Sequence, residues 1–187
     1  MRPDPARLPT PPWPRGYCRE HFLADLINAH DLRAVAELGV WKGRTFLHLA
    51  CHCPHTRVYG IDAWAYRPER AGIPGGETYE AWDMAGLERH VREAAQPFRD
   101  RAIIIKADTV LAARNFRPRC LDLIFVDADH RTAGVERDLD AWVPKVRPGG
   151  WVCGHDIDWP TVRDVVTARF PDYQVGPDNV WWVRLPA

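Results

Sequence analysis

Two carboxylates and an imidazole follow directly after a stretch of sequence that should be buried. Residues 121–126 read LDLIFV, apolar apart from one acid, and Asp127, Asp129 and His130 come next. An imidazole exchanges protons near neutral pH, so His130 is a candidate general base. Asp129 is placed to orient that ring or to contact a substrate, and a carboxylate such as Asp127 can bind a divalent cation.

These side chains also have simpler interpretations. Asp127 can cap the helix that follows, because acids are favoured at that position. His130 can be a solvent-exposed residue at the start of the same helix. A further acid in a similar setting, Asp156, ends the apolar stretch WVCGHD at 151–156, and His155 beside it is left unassigned. The residue types therefore indicate a site and leave its chemistry open.

Strands and helices alternate along the chain. Apolar stretches predict strands at 34–38, 57–62, 102–106, 121–127 and 151–156, and the tail reads as a closing hairpin around residues 176–179. Helical spacing of apolar residues predicts helices at 18–30, 46–53, 78–95, 135–143 and 162–170. This order predicts an α/β fold, a Rossmann-like, doubly wound and mostly parallel seven-stranded sheet with a C-terminal antiparallel hairpin. The strand at 102–106 is expected to be buried on both faces.

Length and composition limit the organisation of the chain. Its 187 residues suffice for one domain at 17–187 after a proline-rich arm at 1–16, which lacks the apolar core of a signal peptide. Basic and acidic residues number 25 each and no apolar run has the length of a membrane span, so we expect neither a nucleic-acid partner nor a membrane. Five cysteines without framework spacing indicate reduced thiols in the cytoplasm. The arm and the tail hairpin are candidate contacts of a homo-oligomer.

Ligands of parallel sheets bind beyond the carboxyl ends of the strands, and three of those ends carry informative residues. The first strand leads into ELGVWKGRT at 37–45, where Trp41 stands in the place that a dinucleotide-binding turn gives to its second glycine. That turn favours a ligand with one small carboxylate over a pyrophosphate. Asp62 ends the second strand, where it can accept both hydroxyls of a ribose. Asp108 ends the third, where it can accept the exocyclic amine of adenine.

Five segments of the chain resemble motifs of one enzyme family. AELGVWKGRTFLHLA, VYGIDAW, KADT, FVDADH and VRPGGWVCGHD are similar to the motifs of class I S-adenosylmethionine-dependent methyltransferases. The similarity runs from about Ala34 to Asp156 and points to the bacterial branch that includes macrocin-type sugar O-methyltransferases. The first motif also resembles that of catechol O-methyltransferase.

The resemblance implies a role for each matched position. It assigns the methionine part of the cofactor to the first turn, the ribose to Asp62 and the surroundings of adenine to Asp108. Trp64, directly after GID, is expected to line the crevice. The full set of expected cofactor-binding residues is Glu37, Gly39, Gly43, Thr45, Asp62, Trp64, Asp108 and Asp127.

The resemblance also implies a metal-assisted reaction. Catechol-type methyltransferases bind magnesium through acids at the ends of the fourth and fifth strands, which correspond here to Asp127 and Asp156. Two hard oxygen ligands completed by waters suit magnesium, which lowers the pKa of a bound hydroxyl. His130 would then take the proton from the attacking hydroxyl.

The sequence therefore predicts S-adenosylmethionine-dependent O-methylation of a hydroxylated small molecule, such as a sugar or a natural product. Two alternatives stay open, a Rossmann-like protein that binds the cofactor without catalysis and a nicotinamide-dependent oxidoreductase on a similar sheet. The glycine spacing and the GHD ending speak against the oxidoreductase. Residues 65–77, rich in proline, glycine and charge, are expected to form a loop, which either closes over the substrate or only connects two elements.

Overall fold

A single seven-stranded sheet organises the chain in the computed structural model, which describes residues 12–65 and 83–187. Its strands are β1 Ala34–Leu38, β2 Arg57–Asp62, β3 Ala102–Lys106, β4 Leu121–Val126, β5 Val146–Gly154, β6 Gln174–Val175 and β7 Trp181–Arg184. They lie side by side in the order β3-β2-β1-β4-β5-β7-β6. The first five run parallel, whereas β7 is antiparallel to both β5 and β6. The predicted fold class is confirmed, including the antiparallel strands at the C-terminus.

Six α-helices accompany these strands within the described ranges. They are α1 Arg19–Ala29, α2 Arg44–His52, α3 Met84–Ala95, α4 Thr109–Ala113, α5 Thr132–Trp142 and α6 Pro160–Arg169. Short 3₁₀ turns follow α3 at Gln96–Phe98 and α5 at Val143–Lys145. None of the helices in these ranges combines the length and the apolarity that a bilayer span requires.

Two separate cores cover the two faces of the sheet. One contains buried residues of α1, α2 and α3, and the other contains buried residues of α4, α5 and α6. Alternate residues of a strand point to opposite faces, so Phe125 belongs to the first core and Ile124 to the second. Trp181 belongs to the second core and Trp182 packs against the first, so the last strand places one tryptophan on each face.

The structure corrects three sequence predictions. The strand at 102–106 is not buried on both faces, because β3 lies at the edge of the sheet and only its first residue is buried. The helix α4 was not predicted, since five residues are too few to show a helical period. The fifth strand begins at Val146 rather than 151, so the RPGG segment belongs to it. Most of the predicted 65–77 loop, and residues 1–11 of the predicted arm, lie outside the described residues.

Candidate active site

The turn after β1 lies against the end of β4. Gly39 has φ +90°, a conformation that favours glycine, and its backbone N–H donates to the carbonyl oxygen of Ile61 at 2.8 Å. A Cβ at Gly39 would overlap the backbone carbonyl group of Asp127. Gly43, with φ +82°, precedes α2 and packs close to Val91. The glycines of this turn are therefore required by backbone conformation and by close approach.

Asp62, at the end of β2, stabilises this turn through three hydrogen bonds to backbone N–H groups. Its Oδ2 accepts the backbone N–H groups of Val40 and Trp41 at 2.9 and 2.8 Å, and its Oδ1 accepts that of Trp64 at 2.7 Å. Trp64 is only 4% exposed, and its indole N–H donates to the Trp41 carbonyl oxygen at 2.9 Å. Asp62 thus ends β2, as predicted, and supports the turn, a role that the sequence did not indicate. Its contact with a ribose stays a prediction.

Replacing Asp62 by alanine is therefore expected to affect both stability and ligand binding. Three backbone N–H groups lose their acceptor, which should lower the free energy of unfolding by about 1–3 kcal/mol. The resemblance assigns the ribose of S-adenosylmethionine to Asp62, so this ligand should bind at least roughly tenfold more weakly, because hydrogen bonds to a charged group contribute about 1.5–3 kcal/mol. Chemical denaturation and calorimetric titration measure the two effects.

A matched control exists at the opposite end of the parallel strands. Asp122 accepts the backbone N–H groups of Arg33 and Ala34 at 2.6 and 2.8 Å, just before β1 and at its first residue. Asp122→Ala should destabilise the protein by a similar amount and leave ligand binding unchanged. If Asp62→Ala and Asp122→Ala had the same effect on binding, Asp62 would have no direct contact with the cofactor.

Carboxylates and imidazoles converge at the ends of β4 and β5. His130 Nε2 lies 3.3 Å from Asp127 Oδ1 and 2.7 Å from Asp156 Oδ2. His155 Nδ1 lies 3.0 Å from Asp156 Oδ1. The pairing of Val126 with Gly154 in the parallel strands β4 and β5 brings these groups together, as predicted.

Hydrogen bonds and ion pairs between neighbouring groups outweigh burial in setting the pKa values of this cluster. Burial opposes the charged form of His130, but hydrogen bonds to Asp127 and Asp156 outweigh it and raise its pKa to about 10. The pKa of His155 is also raised, since its hydrogen bond to Asp156 overcomes burial. Burial opposes the charge of Asp156 too, yet the two imidazoles lower its pKa far below the usual range. At neutral pH His130 is an imidazolium held between two carboxylates.

The simpler interpretations of Asp127 and His130 do not hold. Asp129, not Asp127, accepts the backbone N–H of Arg131 just before α5, at 3.2 Å. The contacts of Asp127 go instead to His130, His155 and Arg19. His130 is mostly buried, with its ring centroid 5.0 Å from that of Trp159. Both residues therefore belong to the cluster at the ends of β4 and β5.

Asp129 is buried against the start of α5. It is 3% exposed and pairs with Arg131 at 2.8 Å and with Arg137 at 3.6 Å. A Cβ at Gly134 would overlap its carboxyl group, so the first turn of α5 packs directly on it. These contacts fix the start of α5 and the backbone beside His130.

Asp108 stands at the end of β3, as predicted, and starts α4. Its Oδ1 accepts the backbone N–H groups of Val110 and Leu111 at 3.0 and 3.3 Å. The neighbouring Ala107 N–H donates to the Asp62 carbonyl oxygen at 2.9 Å, which ties the ends of β2 and β3 together. The position suits the predicted adenine contact, and helix capping is a second role for the same side chain.

Beneath the turn, Glu37 and Thr45 are buried at 3% and 2% exposure. Glu37 Oε2 has no hydrogen-bond partner among the described residues. Burial, followed by the charge of Asp127, raises the pKa of Glu37 well above its usual range. Thr45 Oγ1 accepts a hydrogen bond from Arg19 Nε at 3.3 Å. Arg19 is thus a site residue that sequence reasoning missed, because only apolar positions identify α1.

Comparison with known proteins gives a family and a fold. The family model of a methyltransferase domain matches residues 36–157. A candidate O-methyltransferase from Klebsiella pneumoniae is similar in structure, with a TM-score of 0.68, 17% identity and coverage of 96% of this chain and 84% of that chain. CalS11, a TDP-rhamnose 3′-O-methyltransferase of calicheamicin biosynthesis, has a TM-score of 0.58, 14% identity and coverage of 81% and 71%.

One curated relative is similar in sequence. It is the uncharacterised protein y4gI of Sinorhizobium fredii strain NGR234, 26% identical over 176 residues. The alignment covers 84% of this chain but only 18% of the relative, so the chain spans less than a fifth of that protein's length.

Proposed function

The chain belongs to the methyltransferase domain family, and on that premise we propose that it transfers the methyl group of S-adenosylmethionine to a hydroxyl group of a small molecule. The observation that carries this proposal is the convergence of Asp127, His130 and Asp156 beside the turn after β1. The turn offers a place for a methyl donor, and the cluster offers groups that can bind and deprotonate an acceptor.

In this proposal the cofactor lies across the ends of β1, β2 and β3. Its methionine part binds at the turn, next to Glu37 and Thr45, and its ribose binds to Asp62. Carboxylate oxygens accept more than one hydrogen bond each, so Asp62 can hold the ribose hydroxyls and the backbone of the turn together. Asp108 lies near the adenine, and Trp64 supports the turn from beneath.

The carboxylates of Asp127 and Asp156 fit a divalent cation. One ligand atom from each, together with His130 Nε2, lies within 4.8 Å of the others. Two carboxylates already share one positive charge here, that of the His130 imidazolium, so the pair is arranged to bind a cation. Magnesium, bound by these oxygens and by water, would lower the pKa of an acceptor hydroxyl.

Methyl transfer requires one bond exchange and one proton transfer. The acceptor oxygen forms a bond to the methyl carbon as the bond from that carbon to the sulfonium breaks. The electron pair of the broken bond stays on the sulfur, which becomes a neutral thioether. The hydroxyl proton would pass to His130 Nε2 after the imidazolium has released its own proton to solvent. A cation bound by Asp127 and Asp156 would favour that release, because the two carboxylates would no longer stabilise the imidazolium. Asp129 acts indirectly, through the backbone beside His130.

Titration and chelation test this function together. The purified chain should bind S-adenosylmethionine in a calorimetric titration and methylate a hydroxylated acceptor in the presence of magnesium. A chelator should lower the rate by roughly a hundredfold or more, since a bound metal contributes several kcal/mol of charge stabilisation, and excess magnesium should restore it. Activity that persists in chelator would remove the metal from the proposal. Cofactor binding without transfer to any acceptor would leave a binding protein without catalysis.

A sugar hydroxyl is the acceptor class to test first. CalS11, which shares the fold, is by name a methyltransferase of TDP-rhamnose. The polar cluster faces Trp159, and an aromatic ring beside polar groups suits the alternating apolar and hydroxyl faces of a sugar. A panel of free sugars, nucleotide sugars and catechols, assayed by release of S-adenosylhomocysteine, distinguishes sugar from phenolic acceptors.

A further inference from the structure

We propose that Arg19 binds the α-carboxylate of S-adenosylmethionine, and that it leaves Asp127 and Asp178 to do so. This inference rests on the proposed function, because it names a further residue for recognition of the same cofactor. Arg19 opens α1, outside the residues that the family model matches.

The guanidinium of Arg19 lies over the site and contacts it from several sides. Its Nη1 is 3.2 Å from His155 Nε2 and 3.4 Å from Asp178 Oδ2, and its Nε is 3.9 Å from Asp127 Oδ2. The side chain is 17% exposed. Both carboxylate contacts exceed 3.2 Å, the upper limit of a usual N–H···O hydrogen bond, so neither carboxylate engages the guanidinium in a tight fork. Arg19 thus has the capacity to exchange them for a better-placed carboxylate.

The adjacent start of α2 supplies a second group for an anion. This helix has nine residues, its N-cap is Gly43, and no side chain caps it. Backbone N–H groups at an uncapped helix start favour a negative charge. Arg19 Nε reaches the first turn of α2 through Thr45 Oγ1 at 3.3 Å. Arg19 therefore lies beside a helix start whose backbone N–H groups can bind an anion.

Glu37 provides the complementary group. Its Oε2 is buried without a hydrogen-bond partner among the described residues. Burial raises the pKa of Glu37 well above its usual range, and the nearby charge of Arg19 opposes that rise. An ammonium group beside Glu37 would favour its charged form. A ligand that carries an ammonium next to a carboxylate fits both groups at once. The amino-acid end of S-adenosylmethionine has that pair of charges on one carbon. A ligand with a carboxylate alone would leave Glu37 unpaired.

The exchange has a consequence for the acids of the site. While Arg19 lies near Asp127, its positive charge offsets part of the negative charge that would otherwise attract a divalent cation. When Arg19 turns to the cofactor, Asp127 loses one positive neighbour. Cofactor binding should therefore strengthen magnesium binding, and by thermodynamic reciprocity magnesium should strengthen cofactor binding by the same factor.

A comparison of two ligands tests the assignment. Calorimetric titration without magnesium uses S-adenosylmethionine and decarboxylated S-adenosylmethionine, which differ only in the carboxylate. Wild-type protein should prefer the first by roughly 10- to 100-fold, the range expected for a hydrogen-bonded charge pair. In Arg19→Gln the affinity for S-adenosylmethionine should fall by at least about tenfold, while the decarboxylated ligand should bind within about threefold of its wild-type affinity.

Two further variants separate this role from a structural one. Arg169→Gln removes an arginine that pairs with Asp140 at 2.6 Å between α6 and α5, and it should leave both affinities unchanged. Asp178→Asn frees Arg19 from one partner and should not weaken S-adenosylmethionine binding. Equal weakening of both ligands by Arg19→Gln, or no effect on either, would overturn the assignment. If wild-type protein bound neither ligand, the proposed function itself would fail.

Discussion

Replacing Gly39 by alanine is expected to abolish S-adenosylmethionine binding and to lower the free energy of unfolding by about 3–5 kcal/mol. Two costs add. An alanine at φ +90° adopts a strained backbone conformation, and its Cβ would overlap the carbonyl group of Asp127. The turn must then move away from the end of β4, which separates the proposed cofactor site from the acids. Denaturant unfolding and calorimetric titration measure the two effects.

Gly149 offers a control for the backbone conformation alone. It has φ +70°, and a Cβ there would meet its nearest atoms only at 3.9 and 4.0 Å. Gly149→Ala should therefore cost about 1–2 kcal/mol from strain and leave cofactor binding intact. Equal losses of stability in the two variants would show that the contact between Gly39 and Asp127 is unimportant.

Replacing Asp156 by asparagine should lower kcat for methyl transfer by roughly 10²- to 10⁴-fold, the range of a lost metal ligand or acid–base group. The protein should remain folded, because asparagine has the same shape and tolerates the positive φ of +55° at this position. The Kd for S-adenosylmethionine should stay within a few-fold of wild type, since Asp156 is not assigned to the cofactor. Steady-state kinetics with saturating magnesium and calorimetric titration provide the measurements.

Asp140→Asn is the matched control for the loss of charge. Asp140 lies on the exposed side of α5 and pairs with Arg169, away from the cluster. Its substitution should leave kcat unchanged. Retention of full activity by Asp156→Asn would contradict the roles of this carboxylate in metal binding and in holding His130.

Local sequence was sufficient for the elements that carry the site. The strands at 34–38 and 57–62 match the structure residue for residue, because each is a short segment that lies between two helical patterns. Parallel strands bring their carboxyl ends to one side of the sheet, and the resemblance to the methyltransferase fold implied that the fourth and fifth strands pair. The meeting of Asp127 with Asp156 was therefore expected. The exposure of β3 did not follow, since strand order is a property of the whole sheet.

Other site residues could not be predicted because their partners are distant in sequence. Arg19 contacts His155 across 136 positions and Asp178 across 159, and no short pattern records such a contact. The support that Asp62 gives to the turn is likewise visible only in three dimensions. The position of Asp129 next to His130 is evident from the sequence. Its burial against α5 was not predicted, because it depends on ion pairs with Arg131 and Arg137.

The backbone contact between Gly39 and Asp127 also bears on how this protein could be redesigned. The proposed donor turn and the end of β4 touch through main-chain atoms, so their spacing depends on backbone packing rather than on a single side chain. Backbone packing therefore sets the distance between the proposed methyl donor and Asp127. Acceptor preference should be altered at side chains around the cluster, with Trp159 against His130 as the first position to randomise. Libraries that vary the glycine turn should yield mainly inactive protein.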